Sequence, residues 1–127
     1  MDDRAKILVV DDEPTICSMM NVFLKQIGYE VKTVNSGEEA MALFNEEAPD
    51  MVLLDISMHG MRGIDVLQEM KSRKADCGVI MLSAYGDDQT IQEALDRGAY
   101  CYIQKPMELM ELKKQLEALH QHLKEAA

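Results

Sequence analysis

Residues 7–13 read ILVVDDE: four apolar side chains run straight into three acids, and Pro14 follows. A solvated turn needs one polar residue, not three adjacent carboxylates. The apolar half is equally informative, because it does not alternate. A continuous apolar run of this length is what a strand becomes when both faces of its sheet are covered, as in parallel sheets. The stretch therefore poses two questions: what covers the strand, and what the acids at its end serve.

The same rhythm recurs along the chain. Residues 6–10 are predicted as a strand and 14–27 as a helix, with Ile16, Met19, Met20, Phe23, Leu24 and Ile27 on one face. A second strand near 30–34 leads to a helix near 37–47, with Ala40, Leu43 and Phe44 inward. DMVLLD makes a third strand ending at Asp55, followed by a helix near 64–73 whose inner face carries Ile64, Leu67 and Met70. CGVIMLS makes a fourth strand ending at Ser83, with a helix near 88–97. AYCYIQ is the fifth strand, and a long helix runs from Met107 onward. Five strand–helix units with short loops give right-handed crossovers and a three-layer α/β fold. Among doubly wound folds the flavodoxin-like (βα)5 arrangement, strand order 2-1-3-4-5, suits this pattern.

A chain of 127 residues without a linker or low-complexity segment is expected to form one domain over residues 1–127, with its core within about 5–123. No apolar run approaches the roughly 20 residues of a membrane span. The opening MDDRAKI is short and acidic, unlike a signal peptide, so a cytoplasmic location is expected. A net charge of −10 argues against direct nucleic-acid binding, which needs a basic excess to neutralise phosphates. Cys17, Cys77 and Cys101 are odd in number and lack C-x-x-C spacing; buried free thiols are expected, not a disulfide or zinc site. His59, His120 and His122 have no partnering cysteines. The eleven methionines read as core filling.

In doubly wound folds ligands sit beyond the carboxyl ends of the strands, where the winding reverses. With order 2-1-3-4-5 that crevice lies between strands 1 and 3. Asp11 and Asp12 leave the first of these and Asp55 the other, on strands about 4.8 Å apart. Ser83 leaves strand 4, and Lys105 leaves strand 5 just before Pro106. Singly, Asp12 or Glu13 reads as a helix cap ahead of Pro14, Asp55 as a turn residue, and Ser83 as a loop hydroxyl. Together, three acids with one lysine retain a negative excess that a hard divalent cation with oxygen ligands, Mg²⁺ above all and Mn²⁺ as a substitute, would offset. Asp12 and Asp55, Asp11 through water, and a backbone carbonyl (that of Ser57) are the candidate ligands. Such a metal-bound carboxylate beside a lysine and a hydroxyl outlines a phosphoryl-transfer site: Asp55 as phosphoacceptor, Lys105 and Ser83 on the phosphoryl oxygens.

At these residues the chain closely resembles the receiver domain of two-component response regulators, the CheY-like superfamily. The match spans residues 5–123: VVDDE, LLD ending at Asp55, Met58, Met61 and Gly63 as M-x-x-M-x-G, Ser83-Ala84, and GAYCYIQKP, which puts Tyr102 three positions before Lys105. The resemblance implies Mg²⁺-dependent transfer from a histidine kinase's phosphohistidine, or a phosphotransfer protein, to Asp55. It implies that Ser83 moves toward the phosphoryl group, that Tyr102 turns inward, and that the Lys105–Pro106 peptide is cis. The output partner or domain would then read the face of helix 4, strand 5 and helix 5, with a phosphorylation-dependent dimer as one outcome. Taken alone, Tyr102 is equally a half-exposed strand aromatic.

The chain also departs from the family. His59 stands where proline is usual after Met58, which frees a backbone N–H; it reads as a solvated loop histidine or as a proton sensor. Met107 replaces a common aromatic. Ser57 and Tyr85 occupy positions that influence water's access to an acyl phosphate in the family. On the last helix, Leu109, Leu112, Leu116, Leu119 and Leu123 pack on the sheet at least through Leu116, and the tail from Leu119 either packs or continues into a coiled coil or a linker to an output domain. A competing function is a metal-dependent aspartyl-phosphate phosphohydrolase, but Ser57 stands where such enzymes place a second acid. A flavodoxin-like flavin binder would need a Ser, Thr and Gly-rich phosphate loop after strand 1, and none follows.

Overall fold

Side chains alternate across a strand, and in β1 (Lys6–Val10) both alternating sets are buried: Leu8 and Val10 on one side, Ile7 and Val9 on the other. The same split recurs in β3 (Met51–Asp55) and β4 (Gly78–Ser83), so this sheet is covered on both faces. The computed structural model of the protein describes residues 4–58, 60–84 and 88–126; His59 and Tyr85, two positions singled out from the sequence, lie outside them. With β2 (Glu30–Val34) and β5 (Cys101–Gln104) the strands form one parallel sheet in the order β2-β1-β3-β4-β5. This is the flavodoxin-like three-layer fold expected from the apolar runs.

One core layer lies under α2 (Gly37–Glu47), α3 (Gly63–Arg73) and α4 (Asp88–Asp96), and includes Phe44, Leu67, Met70 and Ala94. The other lies under α1 (Pro14–Gln26) and α5 (Leu109–Ala126), and includes Cys17, Met20, Leu24, Leu112 and Leu116. Pro14 opens α1, where a missing N–H costs nothing. Ser36 caps α2 by accepting from the Glu39 N–H at 3.2 Å.

Two close approaches require glycine. A Cβ on Gly63 would sit 2.2 Å from the Asp55 carbonyl oxygen, so α3 starts pressed against the end of β3. A Cβ on Gly78 would meet Leu119 side-chain atoms at 2.7 to 2.9 Å. Leu119 is therefore a core residue of α5, and the sheet-packing part of that helix extends past Leu116. Leu123 packs against the same core, so the sheet-packing role holds for both residues of the tail.

Three further expectations are adjusted. Met19 was assigned to the inner face of α1 but is 37% exposed, because the buried stripe centres on Cys17, Met20 and Leu24. Cys17 and Cys77 are buried free thiols, whereas Cys101, on edge strand β5, is only half-buried. The final helix begins at Leu109, two residues after the expected start. Among the described residues no helix is long and apolar enough to cross a membrane.

Candidate functional site

The carboxyl ends of β1, β3, β4 and β5 deliver the site. Asp11 follows β1 directly, and its main chain is held from three directions. Its N–H donates to the Val34 carbonyl at 3.2 Å, while its own carbonyl accepts from the Cys17 thiol at 3.2 Å and the Asn35 amide at 3.1 Å. This aims a fully buried carboxylate: Oδ1 accepts from the Glu13 N–H at 2.9 Å, and Oδ2 lies 2.8 Å from Lys105 Nζ. Asp55 is the last residue of β3 and 3% exposed. Its Oδ1 accepts from the Ser57 N–H at 3.1 Å, and its Oδ2 from Lys105 Nζ at 3.3 Å.

Lys105 reaches the site because β5 runs beside β4: its N–H donates to the Ser83 carbonyl at 2.8 Å, and the Lys105–Pro106 peptide is cis, as anticipated. A third acid, Glu13, takes the same ammonium at 2.9 Å. Sequence reasoning treated Glu13 as a helix cap. It does occupy the N-cap of α1, yet its side chain makes no capping bond and turns to Lys105 instead. Neither the Glu13 contact nor the Cys17 and Asn35 bonds to Asp11 had a sequence signal beyond the run of acids itself.

Crowding of like charge in a buried place shapes the electrostatics. Burial, then the neighbouring Asp11 charge, push the Asp55 carboxyl up from 3.8 to about 6, although the Ser57 N–H and Lys105 pull the other way. Burial works against the Lys105 ammonium, but bonds to Asp11 and Glu13 and the charge of Asp55 outweigh it and push its pKa up. Burial and then the Asp11 charge raise the Cys17 thiol as well, leaving it a weak nucleophile.

An acid whose folded pKa lies above its unfolded one stabilises the fold least when ionised. Asp55 thus costs stability as pH rises through about 6, and that cost vanishes below about 3.8. Without divalent cations, Asp55→Asn is expected to melt several degrees higher than the wild type at pH 7.5, with the gap closing toward pH 4. Calorimetric melts across that range check this; equal melting temperatures at pH 7.5 would contradict it.

The donor set suits a hard cation. One carboxylate oxygen each from Asp11, Asp12 and Asp55 can lie within 4.8 Å of the others, an all-oxygen set of the kind Mg²⁺ takes. Ser57 presents its N–H to Asp55; the site's remaining members differ in exposure. Ser83 is fully buried, and its Oγ has no hydrogen-bond partner among the described residues. Tyr102, on β5, is 47% exposed. The structure thus brings Asp11, Asp12, Asp55 and Lys105 together, with Ser83 on the adjoining strand end.

Comparison with known proteins decides the family. The family model for the response regulator receiver domain matches residues 7–117. The chain belongs to the response regulator receiver domain family. The receiver is 39% identical, over all 127 residues, to a protein of Guillardia theta named "Probable transcriptional regulator ycf27", and spans 50% of that protein. It is 38% identical to regulatory protein AtoC of Escherichia coli K12, where 93% of the receiver matches 28% of the relative. The chain therefore spans half or less of these relatives' length. Among solved structures, a response regulator receiver domain protein from Clostridium thermocellum superposes with a TM-score of 0.93 at 33% identity, covering 97% of this chain and 99% of that one. The receiver is thus a signalling module of the two-component type.

Proposed function

We propose that this receiver, as a single unit over residues 1–127, accepts a phosphoryl group on Asp55 and changes its partner-binding face in response. The observation that carries the reading is the meeting of Asp55 with one ammonium and two further aspartates: Lys105 Nζ lies 3.3 Å from Asp55 Oδ2 and 2.8 Å from Asp11 Oδ2, and Asp12 completes the acidic set. The donor would be the phosphohistidine of a sensor histidine kinase or phosphotransfer protein. Asp55 attacks phosphorus, the P–N bond breaks, its electron pair returns to the imidazole, and solvent supplies the imidazole's proton.

Asp11, Asp12, Asp55 and the Ser57 carbonyl would hold Mg²⁺, or Mn²⁺ in its place. When bound, the cation supplies positive charge to the phosphoryl oxygens and to the crowded carboxylates. Lys105 contributes a second positive centre, aimed by its N–H bond to Ser83. Ser83 Oγ, buried and without a partner among the described residues, is a donor that a phosphoryl oxygen would satisfy. Movement of Ser83 toward that oxygen opens room for the Tyr102 ring, now 47% exposed, to turn inward and reshape the surface of α4, β5 and α5. That surface would meet an output domain or protein, or a second copy, in the cytoplasm. The receiver is then a phosphoacceptor and not an enzyme, with self-phosphorylation from small donors and slow self-dephosphorylation as its only chemistry.

Intact-mass spectrometry after acetyl phosphate treatment tests this directly. The expected result is a single phosphoryl adduct that forms with Mg²⁺ and not after chelation. No adduct under either condition, or an equal adduct in both, would refute the proposal.

A further inference from the structure

Lys105 has three N–H donors, and in this structure three carboxylates take them: Asp11 at 2.8 Å, Glu13 at 2.9 Å and Asp55 at 3.3 Å. The three acids are not alike. Asp11 and Asp55 are buried, with side-chain exposures of 0% and 5%, whereas the Glu13 side chain is 56% exposed at the rim. The rim acid holds the ammonium more closely than the acid at which phosphoryl transfer would occur. Glu13 reaches it because Pro14 starts α1 immediately afterwards and the Glu13 N–H is fixed on Asp11 Oδ1 at 2.9 Å, which leaves the side chain free of capping duty.

We infer that Glu13 is a positioning residue that competes with an incoming phosphoryl group for Lys105 and so sets the rate of transfer. The inference rests on the phosphoacceptor reading of Asp55. An arriving phosphoryl oxygen must take a donor of the ammonium. Glu13, facing water, can be solvated in place of the ammonium at less cost than the buried Asp11. Glu13 also adds one negative charge at the rim that an anionic donor must pass. Both effects slow arrival and neither requires Glu13 to touch the reacting atoms.

The test uses the whole chain with acetyl phosphate at saturating Mg²⁺. Asp55 attacks phosphorus, the P–O bond to the acyl group breaks, and acetate leaves with the electron pair, so no proton transfer is needed. Glu13→Gln is expected to raise the labelling rate about three- to fivefold, the range an exposed ion pair can account for. Glu13→Asp keeps the charge but shortens the reach by one methylene; its rate is expected to rise above the wild type and to stay below that of Glu13→Gln. Exchange of the Lys105 ammonium protons, read by NMR on unlabelled protein, should quicken in both variants. A Glu13→Asp rate equal to the wild type would overturn the inference, since charge alone would then explain the effect. So would unchanged rates in both variants, or a Mg²⁺ affinity by calorimetry that falls more than threefold in Glu13→Gln, which would assign Glu13 to the cation. Absence of labelling in wild type and variants alike would remove the underlying phosphoacceptor reading, an outcome distinct from labelling at equal rates.

Discussion

Asp55→Asn should take up no phosphoryl group from acetyl phosphate at any Mg²⁺ concentration. An amide oxygen carries no full charge and is a poor nucleophile, and Asp55 is the acid at the end of β3 where Lys105 and the aspartates after β1 meet. The loss should be complete, not partial, because Asp11 is fully buried with its carbonyl and carboxylate already engaged, and cannot substitute in the same position. Misfolding would not explain such a loss, since relief of the raised Asp55 pKa predicts a variant that melts above the wild type at neutral pH. Intact mass gives the readout, and an adduct persisting in Asp55→Asn would move the acceptor to another residue.

Lys105→Ala should separate stability from chemistry. Its removal leaves the buried Asp11 and Asp55 carboxylates without their shared cation. Loss of one partner from a largely buried ion pair costs about 2–4 kcal/mol after allowing for the partly solvated rim, which corresponds to about 10 °C in a domain of this size. Mg²⁺ should restore much of that loss by supplying the missing positive charge. Labelling of Asp55 should persist, slowed, while the chemical-shift response of β5 and Tyr102 to phosphorylation should shrink. Thermal melts with and without Mg²⁺, paired with NMR of the labelled protein, read both. An unchanged melting temperature in the cation-free variant would show that the lysine's three contacts carry no stability.

Strand order and the sheet-edge site were legible because parallel sheets write themselves as uninterrupted apolar runs. KILVV, MVLLD and GVIMLS could be little else, and the topology then dictated that Asp11, Asp12, Asp55 and Lys105 share one edge. Helix faces were less legible. The apolar arc of the first helix is wide and reaches round to Met19 and Val22, both exposed, so hydropathy alone drew its inward face too broadly. Cys17 marks that direction, because its thiol must reach the Asp11 carbonyl. The Glu13–Lys105 contact was invisible for a different reason: the residues are 92 positions apart, and a side chain's choice between capping its own helix and crossing to another strand depends on a charge supplied by the fold. The burial of Leu119 was likewise decided by a partner without a side chain, Gly78.

The hydroxyl at the tip of β4 has an energetic consequence for the resting state. A secluded O–H with nothing to bond forfeits on the order of 1–3 kcal/mol, and Ser83 Oγ is in that condition among the described residues. On the phosphoacceptor reading, an acceptor oxygen installed on Asp55 within reach of that hydroxyl would offset the deficit, so modification and the burial of Ser83 would favour the same conformation.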